Sequence, residues 1–251
     1  MTRIILNGCN GKMGKVISQS IANNFENCEI VCGVDLNTTK NFDYPVFSSP
    51  SKISIDADVI IDFSLPVAVD NILKFALEKN MPIVIATTGL SEKQTQNINE
   101  ASIKIPVFHS ANMSLGVNLI CELAQKATEI LGNSFDIEIV EAHHNQKIDS
   151  PSGTALMIAD SINGVKDDSM KYEFDRHSKR AKRTQNEIGI HSVRGGTIVG
   201  EHEIIFAGDD EVIKISHSAA SKQIFATGSI NAAMFLTKCK PGLYSMKDMI
   251  K

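Results

Sequence analysis

The chain has 251 residues, 43% of them hydrophobic and 22% charged, which is enough apolar material for one large or two modest globular domains with proper cores. Its formal net charge of −4 gives no general attraction for nucleic acid or an anionic membrane, and the one basic run, residues 176–183, is short and reads as a solvated loop. No apolar run reaches the roughly 20 residues of a membrane span, no signal-peptide pattern opens the chain, and five cysteines without paired motifs point to a reduced, cytoplasmic setting.

Residues 2–7 read as a short apolar strand, Gly8-Cys9-Asn10-Gly11-Lys12-Met13-Gly14 as a glycine-rich turn, and Val16, Ile17, Ile21 and Ala22 as the buried stripe of a helix. The glycines follow G-x-x-G-x-x-G, a variant of the dinucleotide fingerprint, which permits a tight turn and close approach of the backbone to a pyrophosphate. The next strand, residues 29–34, ends at Asp35, about 20 residues beyond the turn, where a carboxylate accepts hydrogen bonds from an adenosine ribose.

Residues 58–64 and 82–89 are two nearly continuous apolar strands, as parallel strands covered on both faces are, with a helix over 67–80 between them. Asp62-Phe63-Ser64 and Thr87-Thr88-Gly89 close these strands at the carboxyl end, where open α/β sheets bind ligands; any one of them also reads as an ordinary loop residue. A helix over 90–101 and a strand over 105–109 follow, ending at Ser110-Ala111-Asn112-Met113. This unbroken alternation predicts an α/β protein with an N-terminal Rossmann-type dinucleotide-binding domain.

The grammar then changes. After a long helix over 115–131, residues 136–140 alternate as a half-buried strand, and Glu141, His143, His144, Lys147, Asp149, Ser152 and Thr154 crowd into the next few positions. Ser150-Pro151-Ser152-Gly153-Thr154 then offers N-cap candidates to a helix over 155–162. The leading N–H groups of that helix, beside Ser152 and Thr154 hydroxyls, Lys147 and two imidazoles, suit an anion such as a carboxylate. The same residues also read as a polar turn before a capped helix. A metal site is the third reading, but adjacent histidines diverge on an extended chain and no H-x-x-x-H or C-x-x-C spacing supports one.

Residues 164–187 read as a mobile loop or a pair of short irregular elements. Strands over 188–194, 203–206 and 211–217, the last two joined by a Gly208-Asp209-Asp210 hairpin turn, combine with 136–140 into an open mixed sheet and a second, α+β domain. A helix over 223–236 is expected to return to the first domain. The expected division is 1–112 with 218–251, and 113–217.

Glu141 to Ala155 resembles the signature of bacterial 4-hydroxy-tetrahydrodipicolinate reductases, also called dihydrodipicolinate reductases. The glycine turn, Asp62-Phe63-Ser64, Thr87-Thr88-Gly89, residues 112–118, Arg194-Gly195-Gly196, Gly200-Glu201-His202 and residues 217–221 resemble family segments in the expected order. The resemblance implies an NAD(P)H-dependent oxidoreductase that reduces 4-hydroxy-tetrahydrodipicolinate to tetrahydrodipicolinate in the diaminopimelate route to lysine, working as a homotetramer built through the second-domain sheets. It implies that His143 is the acid/base and Lys147 the proton donor, with His144, Ser152, Gly153 and Thr154 at the dicarboxylate substrate. It assigns the coenzyme to Gly8, Cys9, Asn10, Gly11, Lys12, Met13, Asp35, Phe63, Ala86, Thr87, Thr88, Ser110, Ala111, Asn112 and Met113, and no metal.

Three positions depart from the family pattern: Ala86 where glycine is common, Met113 where phenylalanine is common, and Leu36 where one branch has an arginine for the 2′-phosphate of NADPH. Asp35 favours NADH, while Lys12 and Lys40 are candidates for holding a phosphate, so use of both NADH and NADPH is expected, with NADH at least as good. Two rivals stand beside this reading: a metal-assisted hydrolase using the His143 and His144 cluster, and a noncatalytic dinucleotide sensor.

Overall fold

The computed structural model describes residues 1–39, 42–167 and 169–250. In chain order its elements are β1 (Thr2–Asn7), α1 (Lys12–Asn24), β2 (Cys28–Val34), β3 (Val46–Phe47), β4 (Val59–Asp62), α2 (Pro66–Lys79), β5 (Ile83–Ile85), α3 (Glu92–Ser102), β6 (Pro106–His109), α4 (Leu115–Leu131), β7 (Asp136–His143), α5 (Gly153–Gly164), β8 (Lys171–Glu173), β9 (Glu187–Arg194), β10 (Gly200–Ala207), β11 (Val212–Ala219), α6 (Gln223–Leu236), β12 (Gly242–Tyr244) and α7 (Met246–Ile250). They form two compact units: Met1–Leu115 together with the segment beginning at Lys222, and Gly116–Ser221. These boundaries fall at 115/116 and 221/222, a few residues beyond the 112/113 and 217/218 positions read from the sequence.

The first unit is a seven-stranded parallel sheet in the order β12-β6-β5-β4-β1-β2-β3. Side chains alternate across it. Ile4, Leu6, Ile61, Val84 and Phe108 point to one face, where Ile17 and Ile21 of α1 and Ala226, Ile230 and Leu236 of α6 meet them. Ile5, Ile60, Ile83, Ile85 and Val107 point to the other, against Val69, Ile72 and Leu73 of α2 and Ile98 of α3. Burial on both faces explains why these strands carry continuous apolar runs, each fully buried isoleucine contributing about 1.5–3 kcal/mol relative to exposure. Strand β12 and helix α7 extend this unit beyond what the sequence pattern showed.

The second unit is a five-stranded mixed sheet in the order β11-β10-β7-β9-β8, antiparallel through β11, β10 and β7 and parallel through β7, β9 and β8. One face, formed by Ile137, Ile139, Ile188, Ile190, Ile204 and Phe206, is covered by Ile158, Ala159 and Ile162 of α5 and by Ile120, Cys121 and Ala124 of α4. Two expectations are corrected here. Strand β7 does not stop at Val140: its ladder with β10 continues through Glu141 and Ala142, and its ladder with β9 continues to His143 opposite Arg194. Residues 164–187 contain β8, and the basic run is not wholly solvated. Arg183 lies 2.6 Å from Asp136 and 3.1 Å from Glu138, Arg176 lies 2.8 Å from Glu187, and Lys179 pairs with Glu173. The carboxylates along this side of the sheet pin the strap. Among the described residues no helix is long and apolar enough to cross a membrane.

Candidate active site

In the first unit, β1 feeds directly into Gly8, which has φ +79° and sits so close to the end of β4 that a Cβ there would lie 2.6 Å from the Phe63 carbonyl oxygen. Only glycine fits that bend. The Gly8 and Cys9 amides donate to the Val34 carbonyl (2.8 and 3.4 Å), the Asn10 amide to Asp35 Oδ2 (3.0 Å) and the Gly11 amide to the Gly8 carbonyl (3.1 Å). The turn is therefore closed by its own amides. What it presents to an anion is the start of α1, whose N-cap Gly11 supplies no side-chain hydrogen bond and whose first helical residues are Lys12 and Met13. A pyrophosphate fits such an end.

Asp35 also accepts from the Asn37 amide (3.0 Å), so its carboxylate braces the turn. Leu36 is 92% exposed, and Lys12 is exposed at the head of α1. Lys40 lies outside the described residues. Cys9 is wholly buried and Met113 nearly so, both in the apolar cluster beneath the sheet, so their side chains pack rather than face solvent. Burial, then the Asp35 charge, pushes the Cys9 thiol up to about 12.

The carboxyl ends of β1, β4 and β5 are tied by Asp62, which the sequence reading placed in a polar cluster but gave no role. Asn7 Nδ2 donates to its Oδ1 (2.7 Å), the Thr87 hydroxyl to its Oδ2 (2.7 Å) and the Ser64 amide to Oδ1 (3.2 Å). Burial raises its pKa in spite of these donors. Phe63 and Ala86 flank this knot, Thr88 is exposed beside it, and Ser110 closes its own turn by donating to the Asn112 carbonyl (2.8 Å), leaving Ala111 exposed.

In the second unit the alternation of β7 places Glu141 and His143 on the same face as Ile137 and Ile139, at the rim of the core under the start of α5. Glu141 is fully buried. It accepts from both terminal nitrogens of Arg194 (2.6 and 2.8 Å), from His143 Nδ1 (2.6 Å) and from the Ser152 amide (3.1 Å). Burial opposes its ionisation, but hydrogen bonds from Arg194, His143 and Ser192 outweigh that and hold it down to about 2. Arg194 also donates to the Asp149 carbonyl (2.7 Å), and the His143 carbonyl accepts from the Gly195 amide (2.9 Å), so β9 clamps both ends of the loop that carries Lys147.

Ser152, expected at the substrate, is 1% exposed. Its amide goes to Glu141, its Oγ accepts from the Ala155 amide (3.1 Å) as the N-cap of α5, and its hydroxyl faces His202 Nε2 (3.0 Å). It supports the site from beneath. His202 is itself buried, and burial, reinforced by His143, lowers its pKa to about 4. Nearer the surface lie His144, the exposed Gly153, Thr154 and Lys147, whose Nζ is 2.9 Å from Asp149 Oδ2; the Gly153 amide faces the same carboxylate. A carboxylate thus already sits on the lysine and the helix start. Among the described residues no three His, Cys, Asp or Glu side chains converge as metal ligands.

Residues 2–113 match the family model described as dihydrodipicolinate reductase, N-terminus, and residues 116–250 the one described as dihydrodipicolinate reductase, C-terminus. The chain belongs to the dihydrodipicolinate reductase family. It is 54% identical over 251 residues to the 4-hydroxy-tetrahydrodipicolinate reductase of Caldanaerobacter subterraneus subsp. tengcongensis, covering 100% of this chain and 99% of the relative, and 47% identical over 252 residues to that of Clostridium novyi, with the same coverage. A solved structure, dipicolinate-bound dihydrodipicolinate reductase from Paenisporosarcina sp. TG-14, shares 28% identity with a TM-score of 0.83 and covers both chains fully. Family membership makes the protein an NAD(P)H-dependent oxidoreductase and disfavours both the metal-assisted hydrolase and the noncatalytic sensor.

Glu141, Arg194 and His202, which the sequence reading placed in the cluster or in family-like segments without a role in the reductase, are gathered by the fold around His143 and Ser152. The missed signal was the period of two: Ile137, Ile139, Glu141 and His143 continue one apolar face, and a carboxylate on that face demands buried donors.

Proposed function

We infer that the protein reduces 4-hydroxy-tetrahydrodipicolinate to tetrahydrodipicolinate, the step that leads toward diaminopimelate and lysine. The observation that carries the reading is the convergence of Lys147 and the Gly153 amide on one carboxylate at the start of α5, above the Glu141–His143 pair. A dicarboxylate ring fits there, with one carboxylate on Lys147, the Gly153 and Thr154 amides and the Thr154 hydroxyl, and with His144 beside it.

The coenzyme, when bound, supplies the hydride. Gly8 admits the close turn, the start of α1 receives the pyrophosphate, and Asp35 takes the adenosine ribose; Thr87, Thr88 and the 110–112 turn lie at the strand ends where the nicotinamide portion belongs. Loss of the 4-hydroxyl of the substrate as water leaves a conjugated imine, and addition of hydride to that imine leaves electron density that one proton must satisfy. Lys147 is a cationic donor at the carboxylate-bearing end of the ring, and His143 is the acid/base beneath it. The lysine and the helix start hold the substrate, and β9 keeps the loop in place through Arg194 and Gly195.

A homotetramer joined through the second-unit sheets accompanies this reading. The sheet face away from α4 and α5 supports it by carrying Val193 and Val212, which are about half exposed. A biosynthetic reductase of this kind works in the cytoplasm, where its coenzyme is regenerated. The test of the function is loss of reduced-nicotinamide absorbance when the purified protein, NADH or NADPH, and 4-hydroxy-tetrahydrodipicolinate are combined. Oxidation that requires the substrate and is blocked by dipicolinate supports it; a protein that binds NADH and turns over nothing overturns it.

A further inference from the structure

Resting on that reading for the identity of the reaction, we propose that Glu141 is the positioning residue that decides which ring nitrogen of His143 is left to handle the mobile proton. The carboxylate touches His143 through Nδ1 at 2.6 Å, with Glu141 fully buried and His143 8% exposed. Glu141 is met by donors: two Arg194 nitrogens, the Ser152 amide, the Ser192 hydroxyl and the imidazole. A carboxylate so surrounded carries no proton of its own, so Nδ1 must carry the proton between them. Nε2 is then the lone-pair nitrogen of the neutral ring and the only ring position that gains or loses a proton in turnover.

The surroundings keep that choice. Arg194, on the neighbouring strand β9, balances the Glu141 charge and holds the carboxylate in a two-pronged grip, so the contact orients the ring rather than only attracting a cation. From β10, His202 meets His143 edge to face with ring centroids 5.3 Å apart, and it stays neutral down to about pH 4. Lys147 on the loop and His217 on β11 are the other ionisable groups that act on His202, and Asp149 acts on Arg194. On the Nε2 side stands Gly200, where a Cβ would come within 3.1 Å of the nitrogen, so the absence of a side chain keeps that nitrogen unobstructed. The geometry is set by register: Glu141 and His143 share one face of β7, with His202 opposite Glu141 on β10 and Arg194 opposite His143 on β9.

Histidine-labelled ¹⁵N spectra and steady-state kinetics of wild type and Glu141→Gln test this. In the wild type the neutral His143 should show a protonated Nδ1 and a bare Nε2; in Glu141→Gln, which keeps size and polarity, the two tautomers should mix. Turnover should fall by about 10²–10⁴-fold, as when a triad carboxylate loses its charge, with the pH profile of kcat displaced and NADH affinity within twofold of wild type. Glu141→Asp, which keeps the charge and shortens the reach, should recover part of the loss. A wild-type His143 carrying its neutral-state proton on Nε2 overturns the proposal even if Glu141→Gln fails to fold, and so does a folded Glu141→Gln with wild-type kcat and pH profile. If the wild type instead reduces no substrate, the proposed reaction is wrong, while the tautomer measurement still judges Glu141.

Discussion

Lys147 Nζ lies 2.9 Å from Asp149 Oδ2, so the place proposed for a substrate carboxylate is held by a carboxylate of the protein itself. Substrate must displace it. Because the pair is partly exposed, its worth is small, and Asp149→Asn should lower KM for the substrate and the inhibition constant of dipicolinate by at most about fivefold. Parallel measurements of the two constants check this. A KM that rises several-fold would mean that Asp149 holds Lys147 in its working position rather than competing for it.

Replacement of the proton-handling groups should slow turnover and leave the coenzyme site untouched. Lys147→Met and His143→Gln should each reduce kcat by about 10²–10⁴-fold, the usual worth of a positioned acid. NADH affinity, followed by fluorescence titration, should stay within a factor of two, since the glycine turn and Asp35 belong to the other unit. A loss of NADH affinity as large as the loss of turnover would contradict this division of tasks.

A coenzyme preference is expected from Asp35, whose carboxylate oxygens accept the Asn10 and Asn37 amides and so are fixed beside the turn. That carboxylate suits the ribose hydroxyls of NADH and repels a 2′-phosphate, while Leu36 offers no guanidinium. We expect both coenzymes to work, kcat/KM for NADH to be at least equal, and NADPH activity to fall more steeply with added salt, because its expected phosphate contact is a lysine, with exposed Lys12 as a candidate. A preference for NADPH that survives high salt would show another donor at work.

His202 makes the fold acid-sensitive. Its folded pKa, about 4, lies below the ordinary value of 6.5, so the folded state favours the neutral ring. The unfolded chain takes up the proton first as pH falls; stability present above pH 6.5 is therefore lost progressively down to about pH 4, on the order of 3 kcal/mol for the full displacement. Urea melts across this range should show the loss, and His202→Gln should flatten it. Glu141 adds a second loss lower down, between its ordinary carboxylate range and about 2. An unchanged pH slope in His202→Gln would mean that the ring is not buried neutral.

The first unit was largely legible because its signals are local. Glycines at 8, 11 and 14, an apolar strand on either side and a carboxylate at 35 each follow from spacing alone, and α6 was bounded by its periodicity. The site in the second unit was legible as a cluster but not as a mechanism. Arg194 and His202 stand more than 50 positions from Glu141 and reach it only through the β7, β9 and β10 ladders. Ser152 read as a ligand because an N-cap hydroxyl and a substrate contact look alike in a sequence; here the hydroxyl faces inward to His202. Strand β12 is three residues long and α7 five, too short to show a period.

The discontinuity of the first unit bears on how the protein is made. Residues 116–221 form one uninterrupted stretch, so the second unit's chain emerges ahead of α6, β12 and α7. Until residues 223–236 emerge, the part of the sheet face around Ile61 and Val84 that α6 covers stays wet, and a nascent chain stalled before that point presents an apolar surface to whatever binds hydrophobic segments at the ribosome.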